Sequence, residues 1–187
     1  MMGKVDGQHL LILGFASAKV KDPRVELARL RDAFPSAEPQ LMRADRIAGP
    51  EHLWFAAQNA VKAFSQKYKR SRSLAMEMLL YVSCQRQISK AIEMLGVTPQ
   101  TEEIAVTAMS KSPRVFGEFA GFAEKAVGGK LDPEVLEIRS KRKLSELKRV
   151  FKIGDRELEA SRLEGERDDV VVKRLVIERS ALLALEG

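Results

Sequence analysis

Three short segments of the chain carry the apolar pattern of β-strands. Residues 8–18 form a compact apolar block, which is typical of a buried strand. Residues 40–47 and 103–109 are predicted as further strands, and the first of these shows the weaker pattern. Few strands between many helices predict a mixed α/β (α+β) fold, in which a small, mainly antiparallel sheet and several flanking helices form a single domain.

Helical periodicity fills most of the remaining chain. Asp22-Pro23 and Gly49-Pro50 are helix-start signals. The helix after Pro50 has the clearest apolar stripe, formed by Leu53, Ala57, Ala60, Phe64 and Tyr68. Residues 88–95 predict a short amphipathic helix that ends at a left-handed Gly96. Residues 113–130 favour a helix that several glycines weaken, whereas residues 74–82 are so uniformly apolar that strand and buried helix fit equally well.

Residues 132–187 are predicted to form a C-terminal helical segment within one domain, residues 1–187. Asp132-Pro133 starts a charged helical stretch that continues to Phe151, and Gly154 interrupts it. A last helix spans residues 168–185. Its apolar residues spread around more of the helix than one buried face requires, which leaves a partner contact and full packing in the core as alternatives.

Composition limits the compartment and the chemistry. The chain has 187 residues and contains a single cysteine, Cys84, and two histidines, which excludes an internal disulfide and a zinc site. No apolar stretch is long enough to span a bilayer, and no signal peptide is recognisable, so we expect a cytoplasmic protein without membrane contact. A net charge of +6 permits an anionic partner without identifying one.

No set of residues in the sequence has the pattern of a catalytic site. Gly128-Gly129 matches neither a P-loop nor a dinucleotide fingerprint. Cys84 has no histidine nearby in a recognisable signature, so it is interpreted as structural. His52 is expected at the surface or in a helix cap rather than as a ligand. We therefore expect no enzyme activity, no cofactor and no metal.

One cluster of positive charge stands out, at the end of the long helix and in the turn after it. No acidic residue lies between Glu51 and Glu77, and the cluster consists of Lys62, Lys67, Lys69, Arg70 and Arg72. These cations either stabilise the helix C-terminus or bind phosphates, and charge alone does not separate the two interpretations. Tyr68 either packs in the core or stacks on a base.

The segment after this cluster resembles a known family. Residues 76–92 read MEMLLYVSCQRQISKAI, and Leu95-Gly96-Val97 follows. An acid before an apolar run, a small-polar turn, Ile-x-x-Ala and a closing Gly resemble the central motif of the TPRKB family, the kinase-binding subunit of the KEOPS complex of archaea and eukaryotes. The similarity extends through most of the chain, but Cys84 and residues 115–129 depart from the pattern.

The resemblance implies that residues 74–83 are helical and that the protein is non-catalytic. The complex places threonylcarbamoyl on adenosine 37 of tRNA. This subunit would bind the small kinase directly, reach the other subunits through the kinase, and hold the single-stranded 3′ CCA end of tRNA. The candidate tRNA-binding residues are Lys62, Lys67, Lys69, Arg70, Arg72, Gln85, Arg86, Gln87 and Ile88. Ile88 is expected in the core, with packing on a base as the alternative.

The last helix supplies the candidate kinase contact. Its surplus apolar face and the resemblance together favour Leu175, Arg179 and Leu182 as kinase-binding residues. The alternative function is a protein-interaction module that binds the kinase without contacting tRNA.

Overall fold

A β-hairpin begins the chain. The structure is a computed structural model that describes residues 1–66 and 69–185. Strands β1 (Met2–Val5) and β2 (Gln8–Ala16) pair in antiparallel fashion. Asp6 and Gly7 join them with φ angles of 40° and 84°, the positive values that a tight two-residue hairpin turn requires. The sequence analysis did not predict β1, because its four residues carry no apolar pattern.

The sheet is open, and all of its pairings are antiparallel. Three further strands are β3 (Glu38–Arg43), β4 (Ile104–Ser110) and β5 (Lys130–Leu131). The order is β1-β2-β4-β3, and the short β5 also pairs with β2. This confirms the predicted mixed α/β class with its antiparallel sheet. The predicted strand over residues 40–47 was placed too late, because the chain leaves the sheet after Arg43 in a 3₁₀ turn, Ala44–Arg46.

Eight α-helices surround this sheet within residues 1–66 and 69–185. They are α1 (Pro23–Ala33), α2 (Pro50–Ser65), α3 (Leu74–Ser83), α4 (Ile88–Leu95), α5 (Phe116–Val127), α6 (Lys141–Val150), α7 (Asp155–Ser161) and α8 (Asp168–Leu185). The expectation that residues 74–83 are helical is confirmed by α3. The Asp22 side chain caps α1 by accepting hydrogen bonds from the backbone N–H groups of Arg24 and Val25, at 2.9 and 3.3 Å.

Alternate residues of β2 belong to different cores. Leu10 and Ile12 pack with α2, α3 and α4, whereas Leu11, Leu13 and Phe15 pack with α1 and α5 on the other face of the sheet. A strand covered on both faces needs apolar residues at every position, which explains the continuous apolar block in the sequence. The helices therefore form layers on both faces of one sheet.

Helix α3 lies in the interior of its layer. Nine of its ten residues are buried, and it contacts α2, α4, α8 and the sheet. A helix that is covered on all sides has no polar stripe, so periodicity could not distinguish it from a strand. The left-handed conformation predicted at Gly96 is wrong, because Gly96 has a φ of −63° and the chain leaves α4 in an extended conformation.

The C-terminal helices enclose a third apolar cluster. Leu147, Phe151, Leu158, Val172 and Val176 pack there, and α8 also contacts α2. The continuous helix predicted after Asp132 is wrong: a 3₁₀ helix, Pro133–Leu136, ends before α6 begins at Lys141. The sequence analysis also missed α7. The domain boundary proposed near residue 132 stays a prediction. In the described part of the chain, no helix is long and apolar enough to cross a membrane.

Candidate nucleic-acid interface and candidate kinase contact

The basic turn comprises Lys62, Lys67, Lys69, Arg70 and Arg72, between α2 and α3. Lys62, Lys69 and Arg72 are exposed. The Lys69 ammonium lies 4.5 Å from the centroid of the Phe64 ring, a cation–π contact that holds the lysine beside α2. Lys67 and Tyr68 lie outside the described residues.

Glu77 anchors this turn from inside the protein. Its side chain is fully buried in α3, and one carboxylate oxygen, Oε2, accepts three hydrogen bonds. The donors are the backbone N–H groups of Arg70 and Ser71 and the Ser71 hydroxyl, at 2.9, 2.8 and 2.7 Å. Hydrogen bonds to an ionised acceptor are among the stronger ones in proteins, so Glu77 fixes the path of the backbone through the basic turn.

Arg70 connects the basic turn to the C-terminal helix. Its guanidinium donates to the carbonyl oxygen of Leu183 at 3.1 Å and lies 3.5 Å from the Tyr81 hydroxyl. Burial raises the pKa of Tyr81, and the Arg70 contact opposes that rise. Arg70 is half-buried, so part of its hydrogen-bonding capacity is used within the protein.

The turn forms one side of a groove of about 690 Å³. Arg70 and Arg72 line it together with Arg31, from the last turn of α1, and Glu38, the first residue of β3. The apolar part of the lining consists of Pro35, Ala37, Pro39, Ala75, Met76 and Ile88. Three arginines beside an apolar lining are suited to a ligand that has both phosphates and unpaired bases.

The structure separates the predicted residues at the start of α4. Ile88 lines the groove with 37% of its surface exposed, so the expectation that it lies in the core is wrong. Arg86 and Gln87 are exposed next to it in the chain. Gln85 instead donates from its amide to the Ser83 carbonyl at 3.3 Å and lines a second cavity.

That second cavity, of about 270 Å³, brings Gln85 and Cys84 together with α8. Arg179 and Leu182 line it from α8, and Leu182 is 54% exposed. Both terminal nitrogen–oxygen contacts of the Arg179–Glu157 pair are 2.8 Å, so this ion pair joins α8 to α7. Leu175 is 95% buried among the C-terminal helices, because only 5% of it is exposed. It therefore supports α8 and presents little surface to a partner.

Sequence reasoning missed Arg31 and Glu38 as residues of the groove. Arg31 lies in an ordinary charged helix, and Glu38 precedes a weakly patterned strand. Only tertiary packing brings these residues beside the basic turn, so no local pattern marked them. The proline-flanked segment from Pro35 to Pro39 is the one sequence feature at this position.

The family comparison adds a partner to this geometry. The chain matches the family model described as kinase binding protein CGI-121 over residues 18–182 of its 187. The chain belongs to the CGI-121 family. This confirms the resemblance to the TPRKB family and supports a kinase as a partner of the protein. The match includes every candidate site residue, from Lys62 to Leu182. Comparison with curated proteins gave no match.

Cys84 departs from the CGI-121 motif, and its surroundings make it a poor nucleophile. It caps the end of α3 with a φ of 52°, and its thiol donates weakly to the carbonyl oxygens of Tyr81 and Val176. Burial raises the pKa of the Cys84 thiol to about 12, although nearby Arg179 opposes the shift. The thiol is consequently protonated at neutral pH, whereas a catalytic cysteine reacts as the thiolate.

His52 lies in the core of this CGI-121 family member, so the expectation of a surface position is wrong. Its Nδ1 accepts from the Ala48 N–H at 3.2 Å, and its Nε2 lies 3.0 Å from the Val82 carbonyl oxygen. Burial lowers the His52 pKa to about 4. In residues 1–66 and 69–185, no group of three or more His, Cys, Asp and Glu side chains is placed to hold a metal ion.

Proposed function

We propose that this protein is a non-catalytic subunit of the KEOPS complex for threonylcarbamoylation of adenosine 37 in tRNA. It binds the small kinase of the complex, contacts the other subunits through that kinase, and recruits tRNA through its single-stranded 3′ CCA end. The observation that carries the proposal is the groove beside the basic turn, because it combines available cations with apolar surface.

Two arginines of the groove are free to neutralise phosphates. Arg31 and Arg72 are both exposed, and neither has an acidic partner in the described part of the chain. They come from different segments, α1 and the basic turn. A phosphate backbone that follows the groove can therefore be contacted from both segments, whereas Arg70 is partly engaged by Leu183 and Tyr81.

The apolar residues of the groove suit unpaired bases. Ile88 and Met76 present exposed or half-buried side chains there, and Pro35 contributes a rigid surface. Bases in a duplex are stacked on each other, so only a single-stranded end can place base faces against such side chains. The 3′ CCA end of tRNA is single-stranded, which supports it as the bound part.

The non-catalytic assignment rests on the state of Cys84. Its raised pKa keeps the thiol protonated, and both of its contacts are to backbone carbonyls rather than to a base. The protein would therefore contribute binding surfaces, and the chemistry would belong to other subunits.

A second candidate is a kinase-binding module that never contacts tRNA. The bonds of Arg70 and Glu77 favour it, because they give the basic turn a structural role that needs no ligand.

Binding of tRNA at several salt concentrations separates the two candidates. Replacement of Arg31 and Arg72 by Glu should weaken binding and lower the slope of log affinity against log salt by about one unit for each lost phosphate contact. Removal of the terminal CCA should cost about 1–3 kcal/mol for each stacked base. Arg70 is left unchanged, because its replacement would also break the bond to Leu183.

Lys130→Glu is the matched control for charge. Lys130 is exposed on β5, which pairs with β2, and β4 separates β2 from β3 and the groove. This control should keep the wild-type salt slope. Equal slopes for the wild type and a folded Arg31→Glu/Arg72→Glu variant, with equal binding of trimmed and intact tRNA, would support the kinase-only candidate.

A further inference from the structure

The groove contains one acidic residue among its arginines. Glu38 stands at the first position of β3, and its Oε2 accepts a hydrogen bond from the backbone N–H of Ala75 at 2.9 Å. Ala75 lies in the first turn of α3, so this bond fixes the carboxylate between the edge strand and the helix. The position of Glu38 is thus set by the fold.

The other oxygen of this carboxylate is available to a ligand. Oε1 of Glu38 has no hydrogen-bond partner in residues 1–66 and 69–185. Arg31, Arg70 and Arg72 line the same groove, yet none of them forms an ion pair with Glu38. Because arginine side chains only donate hydrogen bonds, Glu38 supplies a carboxylate acceptor in a groove whose charged groups are otherwise donors.

A carboxylate acceptor distinguishes bases by their exocyclic groups. Cytosine offers the N4 amino group and adenine the N6 amino group, both of which donate. Uracil and guanine have carbonyl oxygens, O4 and O6, at the equivalent positions, and a carboxylate repels these. A negative charge also weakens the general attraction of the groove for phosphates, so its presence is explained better by selectivity than by affinity.

We propose that Glu38 is a specificity-determining residue, which accepts a hydrogen bond from the exocyclic amino group of a cytosine or adenine in the bound single-stranded end. This inference rests on the proposed function, since it assumes that the groove binds the 3′ end of an RNA. The arginines hold the backbone, and Glu38 reads one base.

Glu38→Gln tests this role with little disturbance of the fold. The glutamine oxygen can still accept from the Ala75 N–H, while its NH₂ group replaces Oε1 and reverses the acceptor to a donor. The probes are tRNA transcripts that end in CCA, UCA, CUA or CCG. With the wild-type protein, one of the three single changes should weaken binding about tenfold, the effect of one hydrogen bond to a charged group.

In Glu38→Gln this preference should disappear or invert, even if binding of every transcript becomes tighter because a negative charge is gone. Glu118→Gln, at an exposed position on α5, controls for that general effect and should keep the wild-type preference. An unchanged preference in Glu38→Gln would overturn the proposal. Loss of the proposed function gives a different result, in which even the wild type does not distinguish intact from trimmed tRNA.

Discussion

At the scale of single residues, His52 shows how burial selects a protonation state. Nδ1 accepts a hydrogen bond from the Ala48 N–H, so the proton of the neutral ring must be on Nε2, which donates to the Val82 carbonyl oxygen. The ring also packs edge-on against Phe151, with centroids 5.7 Å apart. One neutral imidazole thereby joins the start of α2, the end of α3 and the C-terminal helices.

His52 should make the stability of the protein depend on pH. Burial lowers its folded-state pKa to about 4, below an unfolded value of about 6.5. Between these values the unfolded state binds more protons, so stability that is present above pH 6.5 is lost as the pH falls toward 4. The linkage amounts to up to about 3 kcal/mol. Urea unfolding of wild type and His52→Gln between pH 7.5 and 4.5 measures it.

His52→Gln should have a flatter pH profile than the wild type, although it is less stable at pH 7.5 because Ala48 loses its acceptor. The control His9→Gln replaces the other histidine of the chain and should keep the wild-type profile. Parallel profiles for His52→Gln and the wild type would show that the buried imidazole does not account for the pH dependence.

Residue roles were predictable from the sequence only where composition was unusual. The basic turn was visible because five cations stand in a segment without acids. Glu77 was recognised only as the limit of that segment, yet it is the carboxylate that holds the turn. The contribution of Glu38 depends on an approach of β3 to α3, which no local pattern describes.

At the scale of elements, caps and flanking signals predicted more than periodicity did. The signals at Asp22-Pro23 and Gly49-Pro50 mark the true starts of α1 and α2. Periodicity did not assign α3, because burial on all sides removes the polar stripe, and only the family resemblance predicted a helix there. β1 and α7 are too short to show a pattern of their own, and tertiary packing holds them in place.

Helix α8 carries the prediction about the kinase. Leu182 is exposed and apolar, so its replacement by Ser should weaken kinase binding about tenfold or more if the side chain is buried in the complex. The stability of the free protein should change little, because the position is exposed. Leu163→Ser is the matched control, since Leu163 is similarly exposed in the loop between α7 and α8. Affinity from titration with purified kinase is the measurement.

Arg179 needs a different design, because its ion pair with Glu157 also joins α7 to α8. Arg179→Glu alone would place two carboxylates together and disturb the protein. In the double variant Arg179→Glu/Glu157→Arg the internal pair is restored with reversed charges. Kinase binding should remain weak in this double variant if the kinase contacts Arg179 directly. Recovery to the wild-type affinity would assign Arg179 a purely structural role.

At the scale of the whole molecule, the two candidate surfaces occupy different places. The groove lies where the edge strand β3 meets α1, α3 and α4, and the α8 cavity lies at the other end of α3. The two linings have no residue in common. Arg70 is the link between them, since it lines the groove and donates to Leu183, which lines the cavity.

This arrangement predicts that tRNA and the kinase bind independently and at the same time. Arg72→Glu should weaken tRNA binding and spare kinase binding, and Leu182→Ser should do the reverse, because each side chain is exposed at only one of the surfaces. Arg70→Gln should reduce both, because it removes a cation from the groove and the bond that holds the end of α8. Titration of each variant with labelled tRNA, with and without saturating kinase, measures both effects. Competition between tRNA and kinase for the wild-type protein would contradict separate surfaces, and an Arg70→Gln variant that lost only tRNA binding would show that the Leu183 bond does not shape the kinase contact.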